Sequence, residues 1–156
     1  MGESVFDAIR QKVESEPFAK KLGLELTKIG EGYSQVKMMF TPDMENIFGM
    51  AHGGAIFALI DEAFETASNS HGTMAVALNM NVSYLATPSP GDALTAEAKE
   101  INRTNRTANY YITVKNQSDR LLAICQALVY RITVESKRGG IPYLVPASSF
   151  HSRLFF

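Results

Sequence analysis

The fold of this chain is decided by the stretch Asn46-Ile-Phe-Gly-Met-Ala-His52-Gly53-Gly54-Ala-Ile-Phe-Ala-Leu-Ile-Asp61-Glu62-Ala-Phe-Glu65-Thr. The residues from Ala55 onward are good helix formers, and neither proline nor glycine occurs before Gly72. This pattern predicts a helix of about four turns. Its first half is apolar on every side, and such a helix is buried. We therefore expect one central helix that is enclosed by the strands of the remaining chain.

Two polar features interrupt the apolar pattern. Asp61 is a carboxylate within an apolar run, and buried carboxylates are rare unless they are paired or used chemically. Gly53 and Gly54 stand where the helix begins, and unpaired N–H groups and partial positive charge at that end favour a ligand oxygen. Gly53 and Asp61 are separated by about 12 Å of helix, so both can serve one carbonyl carbon only if the carboxylate comes from a second copy. The spacing predicts a symmetric dimer with two shared sites.

This constellation resembles the hotdog-fold thioesterases, in particular the subgroup typified by the phenylacetate-pathway (PaaI-like) acyl-CoA thioesterase. The resemblance covers roughly residues 15–133 and rests on three segments of the sequence. These are Asn46-x5-His52-Gly53-Gly54-x6-Asp61, Asn79-Met-Asn81-Val-Ser-Tyr84 and Pro90-Gly91-Asp92. It implies an α+β hotdog fold, with an antiparallel sheet of about six strands wrapped around one long central helix, plus a short N-terminal helix.

The resemblance also implies catalytic roles for four residues. Asp61 would be the general base or the nucleophile, and the Gly53 N–H would polarise the thioester carbonyl. Asn46 would hold the thioester or the attacking water, and its alternative is a turn residue that satisfies loop backbone. His52 would hold the loop and the helix start by hydrogen bonds, rather than act as a base. No nucleophile elbow or cysteine nucleophile pattern accompanies His52.

The catalytic carboxylate has alternatives within the same helix. Glu62 lies about 100° around the helix from Asp61, and Glu65 lies one turn further on the same face. Glu65 falls where the helix becomes polar, which favours a solvated or rim position. Asp61 fits best because it stands in the apolar half and at the family position, although a structural salt bridge across the dimer is its alternative.

Substrate contacts are expected from several further residues. Phe48 and Phe57, together with Met50, Leu59 and Tyr84, are candidates for an apolar acyl pocket suited to aryl-acetyl or medium-chain acyl groups. Gly54, Asn79 and Asn81 are further candidates for contact with the substrate. Arg103 and Arg106 form a basic cluster with Lys99 that could hold coenzyme A phosphates, as in the family, or be solvated loop charge. Ala77 stands where the family often carries a hydroxyl, which Asn79 could supply.

The function that follows is hydrolysis of acyl-CoA thioesters. The missing hydroxyl at Ala77 leaves a non-catalytic acyl-CoA sensor on the same fold as the alternative. A hotdog hydratase is disfavoured because no histidine follows Asp61 at the spacing that this chemistry uses. No metal and no cofactor other than the coenzyme A of the substrate is expected. The protomers should form a homodimer and, further, a homotetramer as a dimer of dimers.

Composition limits the remaining possibilities. The 156 residues are 46% hydrophobic and 20% charged with a net charge of -1, which predicts a globular domain without a basic field for nucleic acid. No apolar run reaches the roughly 18 residues of a membrane helix, and no signal peptide pattern opens the chain. We therefore expect a cytoplasmic protein with one domain over residues 1–134. Residues 135–156 form a C-terminal extension of unknown role, and the lone Cys125 belongs to the core.

The sheet is predicted from alternation of apolar and polar residues. Six segments alternate or are rich in β-branched residues: 24–29, 33–40, 75–85, 93–101, 108–115 and 121–134. The first two form a hairpin, and the last four are expected to form an antiparallel meander. In the third, Val76, Leu78, Met80, Val82 and Tyr84 should share one face, with Ala77, Asn79, Asn81 and Ser83 on the other. Residues 3–14 predict an amphipathic helix that is capped by Ser4.

Overall fold

The computed structural model of the protein describes residues 4–132, which form one six-stranded antiparallel sheet and its helices. The helices are α1 (Val5–Ser15), α2 (Pro17–Leu22) and α3 (Gly53–Asn69), with a short 3-10 turn at Pro42–Met44. The strands are β1 (Glu25–Gly30), β2 (Tyr33–Met39), β3 (Met74–Tyr84), β4 (Ala93–Arg103), β5 (Thr107–Lys115) and β6 (Leu121–Ile132). The predicted α+β hotdog architecture is confirmed.

The helix α3 is the central element, and it begins at Gly53, two residues before the predicted start. Its apolar residues pack against the inner face of the sheet, and Leu59, Ile60 and Ala63 have no exposed surface. Phe64 meets Tyr110 of β5 edge to face, with ring centroids 5.5 Å apart, a preferred geometry for aromatic pairs. The core therefore lies between α3 and the sheet.

The N-terminal helix forms as its sequence predicts. Ser4 Oγ accepts a hydrogen bond from the Asp7 N–H at 3.1 Å, which satisfies one of the unpaired donors at a helix start. Ile9 and Val13 are buried. Pro17 then begins a second helix, α2, which the sequence analysis did not predict.

The strand order differs from the predicted meander. The order is β1-β2-β4-β5-β6-β3, so β3 pairs with β6 and lies at the sheet edge. The β3–β4 connection contains Pro88 and Pro90, which do not suit a tight hairpin. Instead, the Gly91 N–H donates to the Phe40 carbonyl and the Phe40 N–H to the Asp92 carbonyl, at 2.8 and 2.9 Å. These bonds direct β4 to β2.

A β-bulge at Leu78 changes the faces of β3. The β3–β6 register pairs Ala77 with Val129 and Asn79 with Leu128, so Leu78 has no partner of its own. An unpaired extra residue reverses the alternation of side chains. The prediction that positions 76–84 alternate without interruption is therefore wrong: Ala77 shares the helix-facing side with Met80, whereas Val76 and Asn79 face away.

The remaining expectations concern the C-terminal extension, membrane-spanning segments and the single cysteine. The C-terminal extension 135–156 and the domain boundary at residue 134 lie outside the described residues. Within residues 4–132, none of the helices has the length and apolar character required to cross a lipid bilayer. Cys125 is a buried free cysteine in β6, as expected.

Candidate active site

The start of α3 leaves one backbone donor unused. His52 is the N-cap, and its Nδ1 accepts a hydrogen bond from the Gly54 N–H at 2.9 Å. The Ala55 and Ile56 N–H groups donate to the His52 carbonyl at 3.0 and 3.4 Å. Within residues 4–132, the Gly53 N–H has no hydrogen-bond acceptor. A free N–H at the positive end of a helix is a suitable donor for a carbonyl oxygen that gains negative charge.

Gly53 lines an open cavity of about 340 Å³. The Tyr84 hydroxyl donates to the Gly53 carbonyl at 3.1 Å, and its ring lies against the position that a Gly53 side chain would occupy. The cavity is lined by Ala51, Gly53, Ile56, Tyr84, Leu85, Ala86, Thr87 and Pro88. The lining is partly apolar, which suits the acyl or thioester portion of a small substrate.

Most of the cavity lining was missed by sequence reasoning. Gly53 and Tyr84 were candidates, but Ala51, Ile56 and residues 85–88 were not. Leu85 was predicted only as the end of the strand 75–85, and residues 86–88 were interpreted as part of a turn between strands, because Pro88 and Pro90 break regular structure. The position of residues 85–88 in the sequence could have indicated a role, because the segment directly follows Tyr84, the last residue of the strand that carries the family pattern.

Asn46 organises the loop that leads to α3. Its Oδ1 accepts from the Phe48 and Met50 N–H groups at 2.8 and 3.2 Å, and its Nδ2 donates to the Ala51 carbonyl at 3.4 Å. The backbone groups of Asn46 and Met50 also pair at 2.7 Å. These contacts match the alternative of a turn residue, and they fix the approach to His52.

Asp61 lies half-buried on α3, and burial raises the pKa of its carboxyl group. Within the described residues, no hydrogen bond or ion pair joins this carboxyl group to a side chain. Because Asp61 lies about 12 Å along the helix from Gly53, it does not line the cavity of its own chain. The chain thus presents a donor and a carboxylate on one helix, but it does not bring them together.

Glu62, which is only 4% exposed, belongs to a cluster of three glutamates. One carboxylate oxygen each from Glu16, Glu62 and Glu65 lie within 4.8 Å of one another, a spacing that one cation could bridge. Burial, and then the neighbouring carboxylates, raise the pKa of Glu62 to about 8 and that of Glu65 to about 7. The cluster therefore retains protons near neutral pH. The sequence analysis did not identify Glu16 as a member of this cluster.

Other candidate residues lie away from the cavity. Phe48 is 74% exposed on its loop, Phe57 is half-buried on α3 outside the cavity lining, and Leu59 belongs to the core. Asn79 and Asn81 pair with Leu128 and Gln126, so their side chains lie on the outer face of the sheet.

The two predicted basic residues lie near the opposite end of α3. Arg103 donates to Glu100 at 3.2 Å, and Glu100 in turn accepts from His71 and Tyr110 at 2.7 and 2.8 Å. Arg106 lies in the following hairpin loop. Since α3 is about 26 Å long, neither arginine reaches the cavity of its own chain.

Comparison with known proteins gives these observations a context. The thioesterase superfamily model matches residues 48–123. The chain is 35% identical to the acyl-coenzyme A thioesterase PaaI of Escherichia coli over 119 residues, 76% of this chain and 85% of that protein. The solved structure of the E. coli PaaI protein has a TM-score of 0.79 at 32% identity and covers 83% of this chain and 94% of that one.

Two further solved structures are similar. A mutant of the phenylacetic acid degradation protein PaaI of Thermus thermophilus has a TM-score of 0.72 at 35% identity, covering 75% of this chain and 100% of that one. A protein of Streptococcus mutans that was solved bound to acetyl CoA has a TM-score of 0.67 at 27% identity, covering 70% of this chain and 88% of that one.

Proposed function

Since this chain belongs to the thioesterase superfamily and is PaaI-like, we propose that it hydrolyses acyl-coenzyme A thioesters to a free acid and coenzyme A at sites shared between two protomers. The observation that carries the proposal is the N–H of Gly53, which has no partner within residues 4–132 and belongs to a residue that lines an open cavity at the positive end of α3.

The Gly53 N–H would act on the thioester carbonyl. When a nucleophile adds to the carbonyl carbon, negative charge develops on the oxygen, and a donor already fixed in place lowers the barrier. The Gly54 N–H is held by His52, so Gly54 would serve by allowing close approach. His52 would maintain the helix start, and Asn46 would maintain the loop or hold the attacking water.

Asp61 of the second protomer would supply the base or the nucleophile. As a base, its carboxylate takes a proton from water while the oxygen of water bonds to the carbonyl carbon, and the C–S bond then breaks to release the thiolate of coenzyme A. As a nucleophile, it forms a mixed anhydride that water later cleaves. Oxygen-18 incorporation into Asp61 during a single turnover in labelled water would identify the second route.

The second protomer is supported by two exposed surfaces. The strand β3 is an 11-residue edge strand with a free side, and Leu78 is 57% exposed. On the loop before α3, Ile47 is 92% exposed and lies beside the exposed Phe48. Long edge strands and adjoining apolar residues are usually covered. A homodimer through β3, and a tetramer as a dimer of such dimers, would cover them.

The substrate would be an acyl-CoA with an aryl-acetyl or medium-chain acyl group. Ile56, Tyr84 and Leu85 give the cavity an apolar wall, and Phe48 and Phe57 of the assembled dimer would extend it. Asn79 and Asn81 would contact only a substrate that is bound across the dimer interface. Arg103 and Arg106 would likewise contact the coenzyme A phosphates of a substrate bound across the interface. The acetyl CoA bound to the Streptococcus mutans relative supports this ligand class. The chemistry needs no other cofactor.

The test removes each proposed group separately. Asp61→Asn should lower kcat for benzoyl-, phenylacetyl- or hexanoyl-CoA by about 100-fold or more. Gly53→Pro should lower kcat by about 100- to 1000-fold or more, because it removes the N–H and puts a ring carbon in its place. Proline is well accepted at the first position of a helix, and His52 already has the extended backbone that precedes proline, with φ -67 and ψ 127.

The matched control is Gly53→Ala, which keeps the N–H. Its added carbon would lie 3.3 Å from the Tyr84 ring, so a small loss, within roughly tenfold, is expected. Thiol release is measured for each variant, with the fold checked by circular dichroism. Near wild-type turnover in folded Asp61→Asn or Gly53→Pro would reject the proposed site.

The alternative, a non-catalytic acyl-CoA sensor, is favoured by Ala77, which provides no hydroxyl on the helix-facing side of β3. The same panel of thioesters distinguishes the two functions. Saturable binding without thiol release from any of them would favour the sensor.

A further inference from the structure

Tyr84 contacts the residue that carries the free amide. Its hydroxyl donates to the Gly53 carbonyl at 3.1 Å. A Cβ placed at Gly53 would lie 3.3 Å from Cζ and 3.4 Å from the hydroxyl oxygen of Tyr84. The ring therefore covers one side of Gly53 and leaves its N–H unobstructed by any hydrogen-bond partner within residues 4–132.

The first turn of α3 needs such support because it begins with two glycines. Glycine loses more conformational freedom on folding than any other residue, and the first N–H groups of a helix have no partner within the helix. His52 holds one side of this turn through the Gly54 N–H, and Tyr84 holds the other through the Gly53 carbonyl. Both contacts hold the same peptide group, the one that joins Gly53 to Gly54. The preceding peptide group, which carries the Gly53 N–H, is held through the His52 carbonyl by the Ala55 and Ile56 N–H groups.

Tyr84 is itself firmly placed by β6. It pairs with Ala123 at the last position of β3. The next two N–H groups, those of Leu85 and Ala86, both donate to the Leu122 carbonyl, at 2.8 and 3.1 Å. The hydroxyl group also remains protonated near neutral pH, since burial raises the pKa of Tyr84 above its ordinary value. The contact thus joins a strand fixed in the sheet to the start of the helix.

We propose that Tyr84 is a positioning residue of the thioester hydrolase, which keeps the Gly53 N–H directed toward the carbonyl oxygen by anchoring the next peptide group of the first turn through the Gly53 carbonyl. The proposal rests on the proposed function. A donor stabilises the transition state only where its direction is fixed before the reaction, so a loosened first turn lowers kcat. Substrate affinity depends on the ring and the cavity wall, which the hydroxyl does not alter.

The test compares Tyr84→Phe with Tyr33→Phe. Tyr84→Phe keeps the ring and removes one neutral hydrogen bond, so kcat should fall about three- to tenfold while KM changes less than about twofold. Tyr33 is the matched control, because its hydroxyl donates to Glu97 at 3.1 Å on the outer face of the sheet. Tyr33→Phe should leave kcat and KM unchanged. An unchanged kcat in Tyr84→Phe, or an equal rise in KM, overturns the proposal.

A second measurement does not depend on turnover. Amide hydrogen exchange of the first turn of α3 should become at least about threefold faster in Tyr84→Phe and stay unchanged in Tyr33→Phe. If the wild-type protein hydrolyses none of the thioesters, the proposed function fails, and exchange alone then decides whether Tyr84 anchors the turn. Equal exchange rates in wild type and Tyr84→Phe overturn the anchor in either case.

Discussion

At the scale of single residues, the backbone N–H groups of the two neighbouring glycines of α3 differ in their hydrogen bonding. The Gly54 N–H is used by His52 Nδ1 at 2.9 Å, whereas the Gly53 N–H has no partner in the described part of the chain. A side chain on Gly54 would also lie 3.0 Å from that nitrogen. Residue type and spacing predicted that the helix start binds an oxygen. They could not by themselves distinguish the two amides, because the direction of the His52 ring depends on the loop, and the choice of Gly53 came from the family resemblance.

Substitution of His52 should separate capping from acid–base chemistry. Asparagine is a good N-cap, whereas alanine is a poor one. We expect His52→Ala to lose about 1 kcal/mol of stability and to lower kcat, because the first turn loosens. His52→Asn should restore most of both, as measured by urea unfolding and thiol release.

The same two variants also test the contrary hypothesis that His52 is a catalytic base. If His52 were a base, asparagine would be as inactive as alanine although it restores stability. That outcome would exclude a purely structural role for the histidine.

At the scale of elements, patterns within one segment predicted more than relations between segments. The strands and α3 were predicted from periodicity and turn residues alone. The pairing of β3 with β6 was not, because strand order depends on where a long connection leads, and here it leads to Phe40 of β2. The bulge at Leu78 was also missed, because nothing in the pattern of apolar and polar residues of β3 marks Leu78 as an extra residue.

The junction of α1 and α2 meets α3 through Glu16, and this contact should make stability depend on pH. The ordinary pKa of Glu62 is 4.5 and its folded value is about 8, chiefly because of burial. Between these values the unfolded chain releases a proton that the folded protein keeps, so stability falls as pH rises. We expect a loss of about 2–4 kcal/mol between pH 5 and pH 8.

Urea unfolding of Glu62→Gln tests this contribution. The variant should be more stable than the wild type at pH 8, and its dependence on pH should be weaker, because the neutral amide has no proton to lose. Glu14→Gln, on the exposed side of α1, should follow the wild type at both pH values. Parallel curves for Glu62→Gln and the wild type would show that Glu62 does not titrate in this window.

At the scale of the whole molecule, one protomer holds both reactive groups without a complete site. Asp61 lies about 12 Å along α3 from Gly53, and the cavity of the same chain excludes it. The sequence predicted this separation, because helix rise per residue is constant. It could not show which apolar residues stay uncovered in one chain, such as Ile47 and Phe48, since this depends on how the loop folds.

Shared sites predict complementation between inactive variants. In a mixture of Asp61→Asn and Gly53→Pro chains, half of the dimers are mixed, and one of the two sites in each contains both native groups. After subunit exchange we expect roughly one quarter of the wild-type activity.

Two controls define this experiment. Neither variant alone should be active, and a chain that carries both substitutions should not restore activity to Asp61→Asn. Lack of recovery despite demonstrated exchange of subunits would show that each site is built from one chain.

The bulge in β3 has a consequence for how this strand tolerates changes of length. Leu78 is the surplus residue, and the residues before and after it already face as the β6 register requires. Its removal would leave Tyr84 over Gly53 and Ala77 toward the helix, whereas removal of a residue from a regular strand would turn every following side chain to the other face. The edge of this sheet therefore contains one position at which the chain can shorten without moving the groups that surround the helix start.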